Sequence, residues 1–131
     1  MGVVRTPDAR ARRRGGLLLW FTAFGGAAAW SAHALAAWSI DELTCATGRR
    51  DIAGVPLGIA LVCATVAPAA VTVVALALAW RAWRRTSAGA RSGDRGVERA
   101  QMVALIGLWS NALFLTIILL GAAAVMVFPP C

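Results

Sequence analysis

The chain has 131 residues, 60% of them hydrophobic and 15% charged, against about 45–50% apolar and roughly 25% charged in soluble domains. Three apolar stretches each approach the roughly 20 residues that cross a hydrocarbon core of about 30 Å. Little chain is left for a soluble catalytic domain, a dinucleotide-binding unit or a β-barrel. The formal charge of +7 comes from arginines that stop where the apolar stretches begin, which marks topology and attraction to anionic headgroups rather than nucleic-acid binding.

The first predicted helix covers 17–40. A basic segment with Arg5, Arg10, Arg12, Arg13 and Arg14 precedes it, which imitates a signal peptide. The apolar run continues to Ile40 at spanning length, however, so the segment reads as an uncleaved helix. Gly25, Gly26, Ala29 and Trp30 give this helix a face of small residues beside one aromatic ring, suited to close packing in lipid. His33 is the single His of the chain and lies about 10 Å from the far end of the helix, taking 1.5 Å per residue. An ionisable side chain at that depth is a candidate functional group. It reads as a neutral imidazole bonded to a neighbouring helix, as an axial ligand to haem or a chlorophyll-type pigment, or as a proton or quinone contact.

The loop 41–55 holds Asp41, Glu42, Arg49, Arg50, Asp51 and Cys45. Asp41 and Glu42 are adjacent and point about 100° apart on a helix, so they make no acid-base pair. The second helix is expected over 56–80, with Pro56 in its first turn and Pro68 inside it. Pro68 removes a backbone donor and crowds the carbonyl of Ala64, which predicts a kink, with Thr65 and Thr72 within reach of the freed backbone. Cys63 reads as a small buried apolar residue. Trp80, Trp83, Arg81, Arg84 and Arg85 form an interfacial belt where the helix gives way to the polar loop expected over 81–97.

The third helix covers 98–128. Asn111, near its middle, is the nearest counterpart of His33 by helix depth among strong hydrogen-bonding side chains and is expected to bond across helices. Pro129 and Pro130 stop the helix before Cys131. The N-terminal segment and residues 81–99 hold eleven of the thirteen arginines, against three carboxylates; residues 41–51 hold the other two, also against three. By the positive-inside rule the N-terminus and the 81–97 loop are cytoplasmic, and the 41–55 loop and the C-terminus are extracytoplasmic. That places Cys45 and Cys131 on one oxidising face, where a disulfide between them is expected. His33 with the two cysteines lacks the spacing that selects a metal, so no metal site is assigned.

Gly26, Trp30, His33, Trp38 and Cys45, followed by Pro129, Pro130 and Cys131, resemble the small three-helix membrane proteins encoded beside bacterial haem-copper terminal oxidase genes. That family usually has Tyr where this chain has Trp38. The resemblance implies an accessory or assembly subunit whose partners, integral-membrane subunits of a larger complex, hold the haem and copper. Ala29 and His33 are also similar to the Ala-x-x-x-His pattern of light-harvesting polypeptides, which implies a pigment on His33. The expectation is therefore an all-α, multi-pass protein of the bacterial cytoplasmic membrane, a single domain over 1–131, without enzymatic activity or a cofactor of its own. A small transporter or channel component and a pigment- or haem-binding subunit are the alternatives.

Overall fold

The computed structural model describes residues 9–89 and 95–128. It contains three helices, α1 (Ala9–Thr47), α2 (Leu57–Gly89) and α3 (Arg95–Val127), with a two-stranded hairpin, β1 (Asp51–Ile52) and β2 (Val55–Pro56), between the first two. Each helix packs against both others. Leu18, Leu19 and Thr22 of α1 line a cavity with Leu78, Arg81 and Arg85 of α2, so the start of α1 lies beside the end of α2. At the opposite end Thr44, Leu57 and Phe128 share a second cavity. The bundle therefore runs up, down and up.

The helices outrun the apolar stretches that predict them. At 33 residues each, α2 and α3 are about 50 Å long, well beyond the roughly 30 Å of a hydrocarbon core. Charge does not end a helix. Arginine is a good helix former, so α2 continues through Arg81, Arg84 and Arg85 where a loop from residue 81 is expected. Likewise α1 runs on through Asp41, Glu42 and Cys45 to Thr47. It stops at Gly48, whose φ of 66° and N–H bond to the Thr44 carbonyl at 2.9 Å form a left-handed cap.

The remainder of the expected 41–55 loop is the hairpin. Asp51 pairs with Pro56 and Ile52 with Val55, antiparallel. The two turn residues, Ala53 and Gly54, have φ of 51° and 81°, the left-handed pair that a two-residue type I′ connection demands. Pro56 thus ends a strand and does not begin α2. The Leu57 N–H bonds the Arg50 carbonyl at 3.0 Å and ties the hairpin to the helix.

The interior is small and partly polar. Its buried apolar residues are Ala29, Ala75, Ala79, Ala104 and Ile118, and its buried polar residues are Thr22, His33, Thr72 and Asn111. The large apolar side chains point outward instead, among them Leu18, Trp20, Val66, Ile106, Trp109 and Leu120. Helices α2 and α3 are each long and apolar enough to cross a membrane.

Candidate functional site

Gly25 and Gly26 are consecutive, so they point about 100° apart and serve different neighbours. A Cβ on Gly25 would lie 3.0 Å from the Ala75 Cβ of α2. One on Gly26 would collide with the Asn111 Oδ1 of α3 and stand 3.2 Å from the Asn111 Cα. On the facing helix, a Cβ on Gly107 would lie 2.5 Å from the Thr22 carbonyl oxygen. Glycines on both sides therefore allow α1 and α3 to touch backbone to backbone, with the Trp30 and Phe114 rings 5.7 Å apart above the crossing.

Asn111 occupies that crossing and is fully buried. Its Oδ1 accepts the Gly26 N–H at 2.7 Å, and its Nδ2 donates to the Thr22 carbonyl at 2.7 Å and to the Gly107 carbonyl at 2.6 Å. Thr22 and Gly26 are the i and i+4 partners of one rung of the α1 ladder. The amide of Asn111 spans that rung from outside, and both of its donors and its oxygen are used.

His33 makes the second polar crossing, between α1 and α2. It is 8% exposed, and its Nδ1 lies 2.9 Å from the Ala64 carbonyl oxygen. A carbonyl only accepts, so Nδ1 is the protonated ring nitrogen. Ala64 is four residues before Pro68, and its carbonyl is the one that a proline deprives of its helical donor. His33 supplies the missing donor. The Thr72 hydroxyl, expected to help there, instead donates to the Pro68 carbonyl at 2.9 Å. In a neutral ring the remaining nitrogen, Nε2, is an acceptor. It faces α3 at Gly121, where an added Cβ would be 3.4 Å away.

His33 and Asn111 do not meet. Asn111 is level with residues 22–26 of α1 and His33 lies seven residues further on, about 10 Å along the axis. Their partners are backbone groups of facing helices, which no side-chain pattern in the sequence displays.

Cys63 is exposed on α2 and free, contrary to the buried position expected of it. Cys45 is in the last turns of α1, with its Sγ 4.0 Å from Asp41 Oδ1; Cys131, Pro129 and Pro130 lie outside the described residues. Beside the hairpin, Arg49 Nη2 donates to Asp51 Oδ2 at 3.0 Å. That bond and the charge of Arg49 hold the Asp51 carboxyl below its ordinary range, against a small opposing desolvation and with help from the Gly54 backbone. Among the described residues no cluster of His, Cys, Asp and Glu is arranged to hold a metal ion. The chain matches no protein-family model, no curated protein and no solved structure at a significant level.

Proposed function

We propose that this chain is a non-catalytic accessory or assembly subunit of a bacterial respiratory membrane complex, with a haem-copper terminal oxidase as the first complex to test. In this reading it crosses the cytoplasmic membrane three times, and its arginine-rich end faces the cytoplasm. Two long apolar helices and a surface of large apolar side chains around a core of alanines support insertion. Arg81, Arg85 and Arg99 all lie toward one end of the bundle, where the positive-inside rule wants them together. The crossing of α1 rests on its packing against both other helices, since Gly25, Gly26, Ser31 and His33 dilute its apolar character.

The observation that carries the subunit reading is the outer face of α3. Met102, Ile106, Trp109, Leu113, Thr116 and Leu120 recur at alternating steps of four and three and are all exposed. That is the seam of a left-handed helix pair. Trp109 is 69% exposed and ten residues above Arg99, about 15 Å, which is the middle of the hydrocarbon. Trp favours the interface because its indole N–H needs an acceptor; at mid-depth a facing helix of a partner subunit provides one. The small face of α1, by contrast, is spent inside the bundle on Ala75 and Asn111.

The oxidase assignment rests on the resemblance of Gly26, Trp30, His33, Trp38 and Cys45. Purification in a mild detergent tests it: oxidase subunits and haem absorption should accompany the wild-type chain and be depleted from Trp109→Ala. A wild-type chain that elutes alone would sink the assignment. The Cys45–Cys131 bridge belongs to the same proposal. It predicts that one thiol, Cys63, reacts with a maleimide in the denatured unreduced chain and three after reduction.

A further inference from the structure

Among the described residues His33 Nε2 makes no hydrogen bond to the protein and is not sealed from the surface, and His33 stands at a cavity. His33, Ala37, Leu61, Ala64, Thr65 and Val125 line a space of about 390 Å³ between the three helices, within the size range of small-molecule sites. Its walls are otherwise almost wholly apolar. His33 as a residue is more than nine-tenths buried, its Nδ1 proton is committed to Ala64, and Gly121 leaves a gap beside Nε2 that a side chain would fill.

From this we infer that His33 and the gap at Gly121 form a binding site for a membrane-dissolved molecule bearing a hydroxyl donor, a hydroquinone or a sterol-type alcohol, whose O–H donates to Nε2. The polarity is dictated by Pro68. Because the Ala64 carbonyl claims the Nδ1 proton, the neutral ring offers the ligand an acceptor and no donor. A hydroquinone therefore binds, and the corresponding quinone, which has only carbonyl oxygens, does not. A hydroxyl fits the gap, and the apolar walls take the hydrocarbon body. The site rests on membrane insertion but not on membership of an oxidase.

The single His makes the test direct. Full-length chain with 15N-labelled imidazole, reconstituted in phosphatidylcholine nanodiscs at pH 8, is titrated with tetramethylhydroquinone, with tetramethylquinone and with cholesterol. Reconstitution itself reports insertion, so a chain that fails to enter the disc counts against the membrane reading separately. The expected result is a saturable shift of the Nε2 resonance with a hydroxyl ligand and none with the quinone. A response to hydroquinone alone or to sterol alone identifies the source. Gly121→Ala places a methyl against Nε2 at ordinary contact distance and raises helix propensity, so it should keep the fold and weaken binding about tenfold or more, the loss of one good hydrogen bond. Gly58→Leu, at a cavity-lining position with open space around its Cβ, should do the same without touching the imidazole. No saturable shift with either alcohol, or an equal one in Gly121→Ala, overturns the site; so does equal binding of quinone and hydroquinone.

Discussion

The two polar crossings solve one problem in opposite ways. At the Asn111 crossing three hydrogen bonds close on backbone groups of α1 and α3, and glycines on both helices remove the bulk that would hold the backbones apart. At the His33 crossing one bond is made to an α2 carbonyl that Pro68 leaves without its donor, and the second ring nitrogen remains open. A buried amide has no substitute partner in solvent, so it must be saturated by its own protein. The first crossing is a clasp; the second repairs a defect in α2 and keeps one acceptor in reserve.

The clasp can be broken most severely through its glycines. Gly107→Ala drives a methyl against the Thr22 carbonyl oxygen, backbone that cannot rotate away, so the helices must separate. Overpacking of this kind costs about 1–3 kcal/mol, read as a lower unfolding midpoint in bicelles, and a midpoint equal to the parent would show that α1 and α3 do not touch there. Asn111→Ala is the gentler break. The Thr22 carbonyl and Gly26 N–H keep each other as ladder partners, so the loss should be about 0.6–2 kcal/mol, typical of interhelical polar contacts in lipid.

The His33 crossing is sharpened by restoring what Pro68 took away. In Pro68→Ala the residue at 68 regains an N–H for the Ala64 carbonyl, and the contribution of His33 falls. His33→Leu should therefore cost about 1 kcal/mol in the parent and close to nothing in the Pro68→Ala background, a coupling of about 0.5–1.5 kcal/mol. Additive losses in the double-mutant cycle would mean that His33 does not stand in for the missing donor.

These two crossings were legible to different degrees. The composition placed three helices, and Pro68 announced an orphan carbonyl at Ala64 because the i−4 geometry is fixed by the backbone. Which side chain answers it depends on the register of α1 against α2: the sequence points to Thr65 and Thr72 on the same helix, whereas His33 reaches the carbonyl from α1. Asn111 was visible as a buried amide, but its partners at Thr22 and Gly26 are main-chain atoms without a residue-specific signature. The helices outrun the apolar stretches because a change to charged residues does not stop a helix, whereas a capping residue such as Gly48 does. The hairpin went unseen because Ala-Gly is a weaker type I′ signal than Asn-Gly.

Away from both crossings the hairpin responds more weakly. Ala53 holds a left-handed conformation that costs an L residue about 1–2 kcal/mol, and glycine would relieve it at the expense of greater freedom in the unfolded chain. Ala53→Gly should give a net gain of about 0.5 kcal/mol by the same unfolding measurement, and a loss would exclude the type I′ turn.

The smallest expected effect is the pH dependence at Asp51. Its carboxyl is held below its unfolded value, chiefly by the hydrogen bond and charge of Arg49. A group whose folded pKa is lowered contributes its stability above the unfolded pKa and loses it as pH falls through the folded one. The contribution is therefore complete at neutral pH and disappears through the acidic carboxylate range. Both partners are well exposed, at 65% and 43% of their side-chain surface, so salt screens the pair. Hydrogen exchange at the Leu57 amide, which bonds the Arg50 carbonyl, reports the hairpin locally. After correction for intrinsic exchange rates, its protection should decline on acidification in the parent and lose that component in Asp51→Asn, with added salt shrinking the difference. A difference that survives high salt would assign the contribution of Asp51 to its short-range hydrogen bond with Arg49 rather than to the attraction of the two charges.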